Sequence, residues 1–141
     1  MSLERGLELQ IVDVREHGGY EGAFDAIVEM GAHALLVMDS PSFGRDRKLI
    51  IELAARKRVP AMLFSDDSAR DGALIGYSTS RAELYRMAAR FVDRILKGAK
   101  PADLPVEQPT KFVLGINLKT AKELGLTIPP TLLAYADEVI Q

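Results

Sequence analysis

Apolar residues along this chain fall into short blocks whose spacing switches between strand-like and helix-like periods. From Leu7 to Val14 the sequence LELQIVDV partly alternates and turns β-branched towards its end, which predicts a first strand, broken by His17-Gly18-Gly19. Tyr20 to Gly31 carries Phe24, Ile27, Val28 and Met30 at helical spacing, with Glu21 near its start and Gly31 as its stop. His33 to Met38 is a continuous apolar run, as expected of a strand covered on both faces, and Asp39-Ser40-Pro41 turns the chain. A helix is predicted from about Phe43 to Lys57. Leu49, Ile50, Leu53 and Ala54 form its apolar stripe, Arg45, Lys48, Glu52 and Arg56 its wet side, and Pro60 stands where it cannot continue.

Ala61 to Phe64 reads as a third strand ending in Ser65-Asp66-Asp67, followed by a short helical turn over Ser68 to Asp71 and a fourth strand from Ala73 to Tyr77. Ser80 stands three residues before Glu83, the spacing of a capping box. It opens the longest predicted helix, Arg81 to Leu96, whose buried candidates are Leu84, Met87, Ala88, Phe91, Val92 and Ile95. Pro101, Pro105 and Pro109 force an extended connection from Gly98 to Pro109. Lys111 to Ile116 is a fifth strand. Asn117 caps a helix from Leu118 to Leu124 stopped by Gly125, and Pro129-Pro130 introduces a last short helix, Thr131 to Val139.

Repeated alternation of strand and helix predicts an α/β fold: a parallel open sheet with right-handed crossovers and helices on both faces. Ligands of such sheets sit beyond the carboxyl ends of the strands. Here those ends carry Asp39-Ser40, Ser65-Asp66-Asp67 and Tyr77-Ser78-Thr79, so three consecutive strands deliver short polar groups and one aromatic ring to one rim.

Composition narrows the class. The 141 residues suffice for one domain with a core, and 48% hydrophobic with 27% charged residues is the balance of a globular protein rather than a disordered one. The net charge of −2 and the lack of a long basic run argue against a nucleic-acid surface. Arg56-Lys57-Arg58 and Lys97 to Lys100 fall near helix ends, where positive charge complements the helix dipole. The absence of cysteine excludes disulfides and thiolate metal sites without deciding the compartment. Met1 to Arg5 holds no apolar run of signal-peptide length, and no stretch reaches the roughly 20 apolar residues that span a bilayer.

Chemistry motifs are weak. Gly76-Tyr77-Ser78-Thr79-Ser80 lacks the second glycine of a nucleophile elbow, and neither His17 nor His33 is placed to serve a rim serine as base. Gly18-Gly19 has no dinucleotide or P-loop fingerprint around it and reads as a tight turn. Asp39, Asp66 and Asp67 would suit a Mg²⁺ rim, but Asp66 and Asp67 are equally explained as caps of the next helical turn; no metal is expected. Tyr77 suits either core packing or stacking against a planar ligand.

The run Leu96 to Phe112, LKGAKPADLPVEQPTKF, is similar to the signature of the ABC-transporter substrate-binding family that includes tryptophan- and tyrosine-binding proteins. Ile116 to Pro130, INLKTAKELGLTIPP, matches the same pattern, as do Ala34 to Asp39 with Pro41, Ile51 to Arg58 with Pro60, and Ile75 to Ser78 ahead of Leu84 to Arg86. The resemblance implies one lobe of a type I periplasmic binding protein. This chain would be the C-terminal portion of a protein about twice as long, whose two lobes close on a solute. Residues 4–97 would form the lobe, its last helix placed to cross between lobes. Residues 98–141 would form a proline-rich crossover, strand and terminal helices.

The resemblance further implies a binding protein rather than an enzyme, with no cofactor, a small polar solute such as an amino acid, and an ABC permease as partner. It implies a periplasmic or other extracytoplasmic parent, secreted or lipoprotein-anchored. The rim positions carried over are Asp39, Ser40, Pro41, Ser65, Asp66, Tyr77 and Ser78. Phe64 to Gly72 is more acidic and polar than the family pattern, which favours a cationic or hydroxyl-rich solute, or has no bearing on the solute if the carboxylates only cap a helix. The surface left uncovered predicts self-association, with Gly98 to Gln141 exchanged between two copies. The competing reading is the ligand-sensing domain of a bacterial regulator built on the same fold.

Overall fold

The computed structural model describes residues 6–141; Met1 to Arg5, including the start of the lobe expected from residue 4, lie outside the described residues. The elements are α1 (Tyr20–Glu29), β1 (Leu35–Val37), α2 (Pro41–Arg45), α3 (Arg47–Arg56), β2 (Ala61–Leu63), β3 (Ile75–Thr79), α4 (Arg81–Leu96), β4 (Phe112–Asn117), α5 (Leu118–Leu124), α6 (Pro130–Ala134) and β5 (Glu138–Ile140). The strands form a five-stranded sheet in the order β1-β2-β3-β4-β5. All joins are parallel except β3 with β4, which run antiparallel with Gly76 opposite Gly115 and Tyr77 opposite Leu114. The protein is therefore α/β, a mostly parallel open sheet flanked by helices.

The core sits where α1 and α3 cover one face of β1 and β2. Phe24, Val37, Ile50, Leu53, Ala54, Ala61 and Leu63 pack together there, and Leu53 is fully buried. Strand alternation sends Leu36 and Met38 to the opposite face, where both are exposed. Tyr20 ties α1 to the start of α3: its hydroxyl donates to Asp46 Oδ2 at 2.8 Å. Burial first, and then the bond to Asp46, raise the Tyr20 hydroxyl above its ordinary value of 10.0.

Four sequence expectations are corrected. Leu7 to Val14 is not a strand: only Glu8 makes a bridge, and Leu7 and Ile11 are exposed. β1 keeps β2 as its single strand neighbour, and the segment does not extend the sheet beyond it. The helix expected from Phe43 to Lys57 breaks at Asp46 (φ −94°, ψ 13°) into α2 and α3, where the Tyr20 bond holds the side chain. The fourth strand begins two residues late, because the Ala73 amide bonds Ser68 O instead of a neighbouring strand. The final helix stops at Ala134, and the β-branched Val139 and Ile140 join the sheet as β5 beside β4.

Candidate functional site

The carboxyl ends of β1 and β2 meet beside the start of α2 and α3. Asp39, Ser40 and Ser65 line one shallow cleft there, with Phe43, Arg47 and Phe64 as further walls. Ser40 is extended (φ −158°, ψ 141°) and precedes Pro41, whose ring supplies the first helical residue of α2. Its hydroxyl lies 2.9 Å from that of Ser42. Asp39 is exposed and points a carboxylate at the rim without a salt-bridge partner among the described residues.

Arg47 is the residue that sequence reasoning missed. Its Nε donates to Asp71 Oδ2 at 2.6 Å, Nη2 pairs with the same carboxylate, and Nη1 donates to Ser65 Oγ at 3.3 Å. The guanidinium is mostly buried, so Asp71 both neutralises it and fixes its plane. Nothing in the spacing of α3 separates Arg47 from the solvated arginines on either side; only the fold brings Asp71 within reach.

Asp66 is placed differently from Ser65. Its Oδ2 accepts from the Arg81 amide at 3.3 Å, at the head of α4, and Arg81 Nε lies 2.8 Å from Oδ1 without hydrogen-bond alignment. Asp67 pairs with Arg81 Nη2 and, at 3.3 Å, with Arg70. The two carboxylates read from sequence as favouring a cationic solute thus already hold a guanidinium of the chain itself. Among the described residues no group of three His, Asp or Glu side chains is arranged to hold a metal ion.

The loop that carries Ser65 and Asp66 is seated on the sheet by two glycines. A Cβ on Gly76 would lie 2.7 Å from Ser65 O and 3.1 Å from Ala69 N, and one on Gly115 3.0 Å from Ala69 Cβ. Asn117 completes the seat, donating from Nδ2 to Ala69 O at 2.8 Å. Ser68, within this loop, is fully buried, and its hydroxyl has no hydrogen-bond partner among the described residues. Gly76 and Ser78 face this loop, so alternation along β3 turns Tyr77 to the other face. There its ring stacks on Phe112, with centroids 5.5 Å apart and planes 13° apart. Ser78 Oγ donates to Thr79 O at 3.1 Å.

The structure therefore brings Asp39, Ser40 and Ser65 together beside Pro41, sets Asp66 against α4, and leaves Tyr77 and Ser78 on β3 apart from the cleft. The cleft itself encloses about 20 Å³, room for a single water rather than for a solute. Its lining is polar at Asp39, Ser40, Arg47 and Ser65.

A mostly parallel five-stranded sheet flanked by helices, with polar groups gathered where β1 and β2 end, defines the class of fold as α/β. The family model for ABC transporter substrate binding protein matches residues 4–140, and the chain belongs to that family. Among solved structures, it is similar to the ABC domain in complex with L-Trp from Streptococcus pneumoniae, at 24% identity and a TM-score of 0.83, over 97% of this chain and 47% of that one. It is similar also to a conserved domain protein of Vibrio cholerae, at 24% identity and a TM-score of 0.78, over 85% of this chain and 40% of the other. A third is a ligand-free, open substrate-binding protein with adhesive properties from Clostridium difficile, at 18% identity and a TM-score of 0.60, over 96% and 44%. No curated protein matches the chain. The chain spans less than half the length of each of these structures. Among the described residues no helix is long and apolar enough to cross a membrane.

Proposed function

We propose that this chain is one lobe of the solute-binding component of an ABC importer, working outside the cytoplasm, and that it captures a small polar solute of the amino-acid class without catalysing a reaction. Membership of the substrate-binding family carries the reading, and the rim geometry supports it. Asp39, without a salt-bridge partner among the described residues, would offer its carboxylate to an ammonium group, and Ser40 and Ser65 would offer hydroxyls to a carboxylate. Arg47, held by Asp71, orients Ser65 and adds positive potential. A facing lobe would close over this wall by a hinge motion and exclude water. Neighbours of about twice the length, and a wall too shallow to enclose a solute, both favour a parent longer than this chain.

The exposed stripe of α4 belongs to the same picture. Leu84, Tyr85, Val92, Ile95 and Leu96 lie on one side of that helix and are exposed, while Met87 alone is buried. In the parent such a stripe would pack on the second lobe; in this chain alone it favours self-association.

Titrating the chain with a panel of amino acids, L-Trp included, and following backbone amide shifts tests the reading. Weak binding in the millimolar range is expected, with shifts centred on Asp39, Ser40 and Ser65. A panel that moves none of these amides would remove the solute-binding reading, whereas micromolar affinity for the chain alone would remove the half-site.

A further inference from the structure

A second cavity among the described residues lies at the other end of the strands from the rim. It has a volume of about 320 Å³ and sits between the C-terminal half of α3, the segment leading into β3, and α5. That is at the lower end of the range for small-molecule pockets, roughly 300–1,000 Å³. Its floor is apolar: Ile51, Ala54, Val59, Leu74 and Leu124 line it. Its walls are tied to one another. Thr120 Oγ1 donates to Gly72 O at 2.9 Å, and the Asn117 amide donates to Leu74 O at 3.0 Å.

Arg58 stands at the mouth. It is the non-glycine residue with positive φ among the described residues, at 56°. It closes α3 in the left-handed position that usually falls to glycine, its amide bonding Ala55 O while the Val59 amide bonds Ala54 O. A glycine would take this conformation without the Cβ penalty. The arginine instead lines the cavity and sends Nη2 to Glu123 O, 3.0 Å away across the opening. It has no carboxylate partner within salt-bridge distance among the described residues. Glu123 shares the wall, but its side chain is exposed and it meets Arg58 through its backbone carbonyl.

We propose that this cavity binds a small amphipathic monocarboxylate, its hydrocarbon part on the apolar floor and its carboxylate on the Arg58 guanidinium. A guanidinium offers paired donors that match a carboxylate, and the apolar floor rewards an unbranched or flat apolar body over a polar one. Neutral Thr120 is already committed to Gly72, so selectivity rests on Arg58 against Glu123. The site is separate from the rim, and its outcome does not bear on the solute reading.

Octanoate, 1-octanol and octylamine, titrated in turn into the intact chain while amide shifts are followed, test it. Octanoate moves the amides of Ala54, Arg58, Leu74 and Leu124, 1-octanol moves them at higher concentration, and octylamine binds weakest. Arg58→Gly suits the left-handed backbone and so folds at least as well, yet it weakens octanoate binding about tenfold and leaves 1-octanol unchanged. Glu123→Gln, at an exposed position, tightens octanoate. The proposal is overturned if octanoate leaves those amides unmoved at millimolar concentration, if Arg58→Gly binds it as the parent does, or if Glu123→Gln weakens it.

Discussion

At the residue scale, positions without side chains shape the site as firmly as those with them. Gly76 admits the loop that holds Ser65 and Asp66 to within contact of β3. Gly76→Ala should lift that loop and destabilise the fold by about 1–3 kcal/mol, readable in urea unfolding, with Ser65 and Ala69 amide shifts displaced together. The glycine was visible in the sequence, but the backbone it meets comes from residues before the strand, so its role was not. Tyr20 gives a pH-dependent prediction. Its raised folded value means that its contribution is complete below the ordinary tyrosine value near 10 and is lost as pH climbs through and beyond it. Tyr20→Phe should cost about 1 kcal/mol at neutral pH and flatten the alkaline loss of stability, measured by denaturant midpoints from pH 7 upwards. Asp39, Ser40 and Ser65 were readable as rim groups because a strand projects the residues just past its carboxyl end beyond the sheet. Arg47 was not, since its partner Asp71 lies 24 positions away.

At the element scale, local signals served well where the element makes its own boundary. Ser80 accepts from the Glu83 amide at 3.4 Å, and Asn117 accepts from the Thr120 amide at 2.9 Å, as their spacing led us to expect. Gly125 ends α5 in the left-handed conformation. Asn117 also spans from α5 to the 65–72 loop, so Asn117→Ala removes a cap and strands a buried carbonyl. We expect a loss of about 2–3 kcal/mol by thermal or urea unfolding, more than the roughly 1 kcal/mol of an ordinary cap. Local signals failed where the outcome depends on a neighbour. Val139 looks like the end of a helix until the free edge of β4 is known, and Leu7 to Val14 looks like a strand although only Glu8 makes a bridge. The direction of β4 was likewise invisible, and the connection read as extended from Gly98 to Pro109 instead opens with a 3-10 turn at Pro101–Asp103.

At the scale of the whole molecule, the α/β fold presents one polar rim and one helix, α4, with an exposed apolar stripe. The exposed stripe of α4 makes a concentration-dependent mass the expected behaviour in light scattering. Val92→Lys with Leu96→Lys should return the chain to a monomer while leaving its melting temperature nearly unchanged, since neither side chain is buried. A mass unaffected by concentration in the unsubstituted chain would show that α4 is not an adhesive surface. The antiparallel pairing of β3 with β4 carries a topological corollary. Thr79 lies opposite Phe112, and the Ser80 amide bonds Lys111 O at 3.1 Å, so everything from α4 through the proline-rich stretch departs and returns through two adjacent footholds. This pendant is an insertion between two paired strands, held at its head by the pairing of Arg81 with Asp66 and Asp67. The ladder beneath need not break a single pairing, and the sheet would remain whole if the pendant were replaced by a tight turn.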